Sequence, residues 1–142
     1  MMAAMQLSYE NHDASSPTVL VVDDNAILRL MLAQEISQAG FKVREAATAD
    51  EAETVLDTGA AIDLIVTDVE IPGHHDGLAL AMYVRSHYPN TPVIVVSGQV
   101  PQTRAASVAD AFFTKPYDVG SLIQRVAALL GHPGRSGRPE SA

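Results

Sequence analysis

Residues 64–77 read LIVTDVEIPGHHDG. An apolar, β-branched run stops at a single acid, Asp68, and Pro72-Gly73 turns the chain after three intervening residues. A short oily run bounded by a turn is the mark of a strand buried on both faces. A carboxylate at its end is compatible with a nucleophile, a metal ligand or a polar turn. The same loop adds His74, His75 and Asp76.

Working outward, TVLVVD (18–23), FKVREA (41–46), PVIVVS (92–97) and AFFT (111–114) read as further strands. Helical segments fall between them. AILRLMLAQEISQAG (26–40) carries Leu28, Leu32 and Ile36 as its expected apolar stripe, with Gly40 at its end. TADEAETVLDTG (48–59) starts at Thr48 or Asp50 and stops at Gly59, and GLALAMYVRSHY (77–88) stops before Pro89. DVGSLIQRVAALLG (118–131) has Asp118 as its N-cap and Val119, Leu122, Val126 and Leu129 on one face. The stretch 98–110 has a poor apolar face and contains Pro101, so the fourth helix is expected to be short or irregular. Five β-α units with near-continuous apolar strands predict an α/β fold, a doubly wound five-stranded parallel sheet with helices on both faces. Residues 17–131 form the expected domain, between polar tails at 1–16 and 132–142.

The bulk properties narrow the function. A chain of 142 residues with 47% hydrophobic content can build one core. A net charge of −8 argues against nucleic acid or an anionic membrane as partner. There is no cysteine, which removes thiol catalysis and thiolate metal sites. No signal peptide or membrane-length apolar run is evident, so a cytoplasmic location is expected.

In a doubly wound sheet the site lies beyond the carboxyl ends of the strands. Strand one ends in Asp23-Asp24, strand three in Asp68, strand four in Ser97 and strand five in Thr114-Lys115-Pro116. Three carboxylates within about 5 Å repel by several kcal/mol each at intermediate dielectric. Lys115 compensates part of that charge, and a divalent cation would compensate the rest. An all-oxygen donor set selects Mg²⁺, with Mn²⁺ or Ca²⁺ able to substitute. Taken singly, each acid is equally explained as a cap, Asp24 before the first helix being the clearest case.

Together, Asp23-Asp24, Asp68, Ser97 and Lys115-Pro116 resemble the receiver domain of two-component response regulators, over about residues 17–131. The resemblance implies a flavodoxin-like (β/α)5 fold with Asp68 as phosphoacceptor. Asp23, Asp24, the Asp68 carboxylate and the backbone carbonyl of Glu70 would hold Mg²⁺. Ser97 would hydrogen-bond the phosphoryl group, Lys115 would pair with it, and the Lys115–Pro116 peptide would be cis. Ser97 and Phe112 would form the switch, and Glu70 and Gln99 sit where acyl-phosphate lifetime is tuned. The implied partners are a sensor histidine kinase or histidine phosphotransfer protein and a downstream protein target. The resemblance implies no enzyme beyond Mg²⁺-dependent self-phosphorylation and autodephosphorylation, and no output domain is expected after the last helix. A degenerate receiver that only binds partners and a haloacid dehalogenase-like phosphatase are the alternatives. The second fits poorly, because its acids run in another order.

Several positions depart from the family pattern. The loop after Asp68 is one residue longer, in Gly73-His74-His75. Adjacent histidines in a turn suit a solvated role, and no third metal ligand is evident; His87 likewise lacks an obvious partner. The stretch from Ser97 to Lys115 is about four residues short, and Val108 stands where glycine is usual. These changes fall on a face through which many regulators pair, so a monomer or weak dimer is expected.

Overall fold

In the computed structural model, which describes residues 15–99 and 102–131, the β-branched runs form five parallel strands. They are β1 (Thr18–Val22), β2 (Lys42–Ala46), β3 (Leu64–Asp68), β4 (Val93–Ser97) and β5 (Ala111–Thr114), in the order β2-β1-β3-β4-β5. The helices are α1 (Ala26–Gln38), α2 (Ala49–Asp57), α3 (Gly77–His87), the single turn α4 (Gln102–Ala105) and α5 (Val119–Leu130). The expected tails lie outside the described residues, apart from Ser15 and Ser16.

Period-two alternation sends neighbouring residues of each central strand to opposite faces. Leu20, Val22, Ile65, Val93 and Val95 meet Ala52, Leu56, Leu80 and Val84 of α2 and α3. Val19, Val21, Leu64, Val66, Ile94 and Val96 meet Ala33, Ile36, Leu122 and Val126 of α1 and α5. Two cores, one per face, explain why these strands show no polar side. Every long helix begins on a side-chain cap: Asn25 accepts from the Leu28 N–H, Thr48 from Glu51, Asp76 from Ala79 and Asp118 from Ser121. Such a cap contributes about 1 kcal/mol. Asn25, not Asp24, caps α1, and Asp24 stands exposed.

The apolar stripe expected on α1 is corrected. Ile36 is fully buried, but Leu28 is 50% exposed and Leu32 lies between them. A strict i, i+4 series drifts by roughly 40° per step around a helix of 3.6 residues per turn, so only its end faces the sheet. Ala33, Ile36 and Ser37 are the buried face. Ile27, Leu28 and Met31 stay in solvent at the end of α1 nearest the strand termini. The one-turn α4 agrees with the poor pattern and the proline before it.

Candidate functional site

The shared strand direction brings the carboxyl ends of β1, β3, β4 and β5 to one edge. The register pairs Asp68 with Val96 and Ser97 with Thr114, so the ends of β3, β4 and β5 are adjacent. Asp68 is only 6% exposed and Ser97 is fully buried.

The Asp68 carboxylate is held from two sides. Lys115 Nζ donates to Oδ2 at 2.5 Å, and the backbone N–H of Glu70 donates to Oδ1 at 3.1 Å. Burial alone would lower the Lys115 pKa, but the hydrogen bond and charge of Asp68, with Asp23 and Glu70 beyond, raise it overall. The ammonium therefore stays charged at any physiological pH. The Lys115–Pro116 peptide is cis, and the Lys115 N–H donates to the Ser97 carbonyl, tying β5 to β4 at the site.

Asp23 is half-buried beside this pair. Burial raises its pKa above the ordinary value, and the charges of Asp68 and Asp24 add to the rise; the Asn25 N–H and Lys115 only partly oppose it. Asp23 is thus an acid held in an environment short of positive charge. The residue that braces it is one that sequence pattern does not point to: Arg29 donates to the Asp23 carbonyl at 2.8 Å and pairs with Glu45 on β2 at 2.9 Å. A small cavity of about 20 Å³ opens among Asp23, Asp68, Lys115 and Tyr117. That is room for a single water or ion.

Ser97 does not stand open to this cavity. Its Oγ donates to Glu70 Oε2 at 2.6 Å and accepts from the Gln99 N–H at 2.9 Å. Phe112 is partly buried against the α2–α3 core. The expected switch and tuning positions Ser97, Glu70 and Gln99 are therefore in one hydrogen-bonded chain, a link that sequence spacing does not reveal.

One of the two loop histidines has a partner, which corrects the solvated reading for His75; His74 is exposed, as expected. His75 Nδ1 lies 2.7 Å from Glu53 Oε2 on α2, with Asp50 one turn away, and one ligand atom from each of the three lies within 4.8 Å of the others. This second acidic cluster is separate from that of Asp23 and Asp68. His87 is also partnered, through the Tyr83 carbonyl at 3.0 Å and by stacking on the Tyr83 ring. The hydrogen bond to Glu53 and its charge raise the His75 pKa above 6.5, with Asp50 and Asp76 adding to the effect. A raised folded-state pKa gives stabilisation that is complete below the unfolded value and lost as pH rises through the folded one. His75→Gln is therefore expected to melt slightly below the wild type under pH 6.5, and the two melting curves should converge as pH rises through the raised folded-state value, as differential scanning fluorimetry can check.

The response regulator receiver domain family matches residues 19–127. The transcriptional regulatory protein PhoP of Escherichia coli is 34% identical over 116 residues, 79% of this chain and 51% of the relative. The chain thus spans about half the length of the curated relatives it matches. A solved receiver protein from Sinorhizobium medicae superposes with a TM-score of 0.76 at 34% identity, covering 84% of this chain and 98% of that one. One from Pseudomonas putida gives 0.73 at 33% identity, covering 82% and 99%. Among the described residues no helix is long and apolar enough to cross a membrane.

Proposed function

Since the chain belongs to the response regulator receiver domain family, we propose that it accepts a phosphoryl group on Asp68 from a sensor histidine kinase or a histidine phosphotransfer protein. The observation that carries this reading is the buried Asp68 carboxylate, held by Lys115 and the Glu70 N–H beside a second acid, Asp23. A carboxylate is a weak nucleophile and needs its approach to an anionic group compensated. Lys115 does this from one side. As one Asp68 oxygen bonds to phosphorus, the P–N bond to the donor imidazole breaks, and the freed imidazole nitrogen takes up a proton. Lys115 would meet the equatorial oxygens, and the Ser97 hydroxyl would join it on leaving Glu70.

The donor set fits Mg²⁺. Asp23 and Asp68 offer hard oxygens around a cavity the size of one ion, Asp24 and the Glu70 carbonyl would complete the set, and Lys115 supplies one positive charge at Asp68. When bound, the metal would supply the remaining charge neutralisation of the transferring group. A cation that binds only the folded state raises stability, by about 2.7 kcal/mol at a hundredfold excess over Kd. Mg²⁺ is expected to raise the wild-type Tm by roughly 5–10 °C on that basis. Asp23→Asn should show the opposite order: it melts above the wild type in EDTA, because the acid whose ionised form the fold disfavours is gone, and gains much less from Mg²⁺. Thermal melts in the two buffers check this crossing.

Docking of a phosphodonor protein is supported by the apolar end of α1. Leu28, Met31 and Leu32 form a groove of about 520 Å³ with Pro116, Tyr117 and Val119, and Asp23 and Lys115 lie at its edge. Exposed apolar surface of this kind marks protein contacts, and here it adjoins the reacting carboxylate. The test of the whole reading is incubation with Mg²⁺ and acetyl phosphate followed by intact mass. A single Mg²⁺-dependent phosphate is the expected result, decaying with time through autodephosphorylation. No phosphate from this donor or from a phosphohistidine protein would overturn it.

A further inference from the structure

We propose that the Glu70 side chain is a latch on Ser97, holding the hydroxyl that the phosphoryl group needs and leaving only when that group arrives. The inference rests on Asp68 being the phosphoacceptor, and it assigns Glu70 a positioning role through its carboxylate rather than its carbonyl. The geometry is specific. A serine hydroxyl has one proton to donate. In this structure the Ser97 proton is given to Glu70 Oε2 at 2.6 Å, while the Ser97 oxygen accepts from the Gln99 N–H at 2.9 Å. A phosphoryl oxygen on Asp68 can gain that proton only if Glu70 releases it. The competition is therefore exclusive.

Two further observations set its direction. The Glu70 backbone is fixed to the acceptor itself, its N–H donating to Asp68 Oδ1 at 3.1 Å. The Glu70 side chain consequently cannot hold Ser97 without lying near Asp68, and its charge is felt by Lys115, which also contacts Asp68. The acyl phosphate carries close to two negative charges where the carboxylate carried one, so the approach of the phosphoryl group repels the latch that guards its own donor. Glu70 is exposed, which leaves its carboxylate free to turn into water at small cost. Ser97, fully buried at the end of β4, would carry the Gln99 backbone with it when it changes partner. One residue thereby sets both the threshold for phosphoryl binding and the resting position of Gln99.

The test uses beryllofluoride with Mg²⁺ as the acyl-phosphate mimic, followed by the amide resonance of Gln99 in the full chain. Without ligand, Glu70→Ala is expected to shift that resonance, since its N–H is bonded to the hydroxyl the latch holds. In the titration, Glu70→Ala should lower the half-saturating concentration by about tenfold, the loss of one charge-assisted hydrogen bond. Glu70→Gln keeps a neutral acceptor for Ser97 and should fall between Glu70→Ala and the wild type. In a Ser97→Ala background the same Glu70→Ala change should alter binding less than about twofold, because the latch has nothing to hold. An undiminished gain in that background would show that Glu70 acts through its charge alone and would overturn the latch. So would equal effects of Glu70→Ala and Glu70→Gln, weaker binding in either variant, or an unmoved Gln99 resonance without ligand. If that resonance moves but no variant, nor the wild type, takes up beryllofluoride or phosphate, the phosphoacceptor reading falls and the bond's role as a latch falls with it.

Discussion

Asp68→Asn is expected to take up no phosphate from acetyl phosphate or from a phosphohistidine protein under conditions that modify the wild type. The amide keeps the shape of the side chain but offers one oxygen where the carboxylate offered two, so Lys115 and the Glu70 N–H, which bond different oxygens of Asp68, cannot both be satisfied. What disappears is the nucleophile, together with one charge of the pair that binds Lys115 and the cation. The other acids do not replace it. Asp23 follows β1, across the cavity, and accepts from the Asn25 N–H; Asp24 is exposed between Asp23 and the α1 cap. Neither has an ammonium at hydrogen-bond distance among the described contacts, whereas Asp68 does. The loss should therefore be complete within the sensitivity of intact-mass measurement. Lys115→Ala should be leakier, with slow uptake remaining, since it removes charge compensation but leaves the carboxylate. A removed electrostatic donor costs on the order of 10²–10³ in rate in comparable sites. Residual phosphate on Asp68→Asn that maps to Asp23 or Asp24 would relocate the acceptor.

The same contrast shows how much of the site could be read in the chain. Asp23, Asp68, Ser97 and Lys115 were legible because a parallel sheet sends every strand's carboxyl end to one edge, so a list of terminal residues becomes a list of neighbours. Short α4 was legible because Pro101 and a weak apolar face oppose a longer helix. The drift of the α1 stripe was legible in principle, from the helical angle, but a four-residue spacing is easily taken for a straight line. His75 was not legible at all: its partner Glu53 is 22 residues away, and only the packing of the acceptor loop against α2 brings them together. The Glu70–Ser97 bond is similar. Both residues lie at positions that the resemblance marks, yet nothing in their 27-residue separation says that one holds the other. Contacts carried by backbone direction were readable, whereas those carried by side-chain reach across elements were not.

Gly77 makes a close backbone approach that no sequence pattern marks, and its substitution is expected to have the largest effect on stability. It is the first residue of α3, capped by Asp76, and its N–H donates to the Val69 carbonyl at 2.9 Å. A Cβ at this position would lie 2.0 Å from the Asp68 carbonyl oxygen, 2.7 Å from its carbon and 2.8 Å from Val69 Cα. These are backbone atoms of the buried strand that carries the acceptor, so no side chain can turn aside to make room. Gly77→Ala must push α3 away from β3, opening the contacts of Leu78, Leu80 and Ala81 with the sheet and loosening the Asp76 cap. Overpacking in a well-filled core costs typically 1–3 kcal/mol, and the absence of any flexible neighbour places this case at about 3. At this size that lowers Tm by roughly 10 °C. Gly98 supplies the control from the other side of the site. A Cβ there meets only Lys115 Cβ at 3.8 Å, an ordinary contact, so Gly98→Ala should keep the wild-type melting temperature. Thermal melts of the two variants separate the explanations: if both melt together, Gly77 is not the point where the helix touches the acceptor strand. If Gly77→Ala alone falls, the close approach is real, and its phosphate uptake should fall with it because the displaced backbone is that of Asp68 itself.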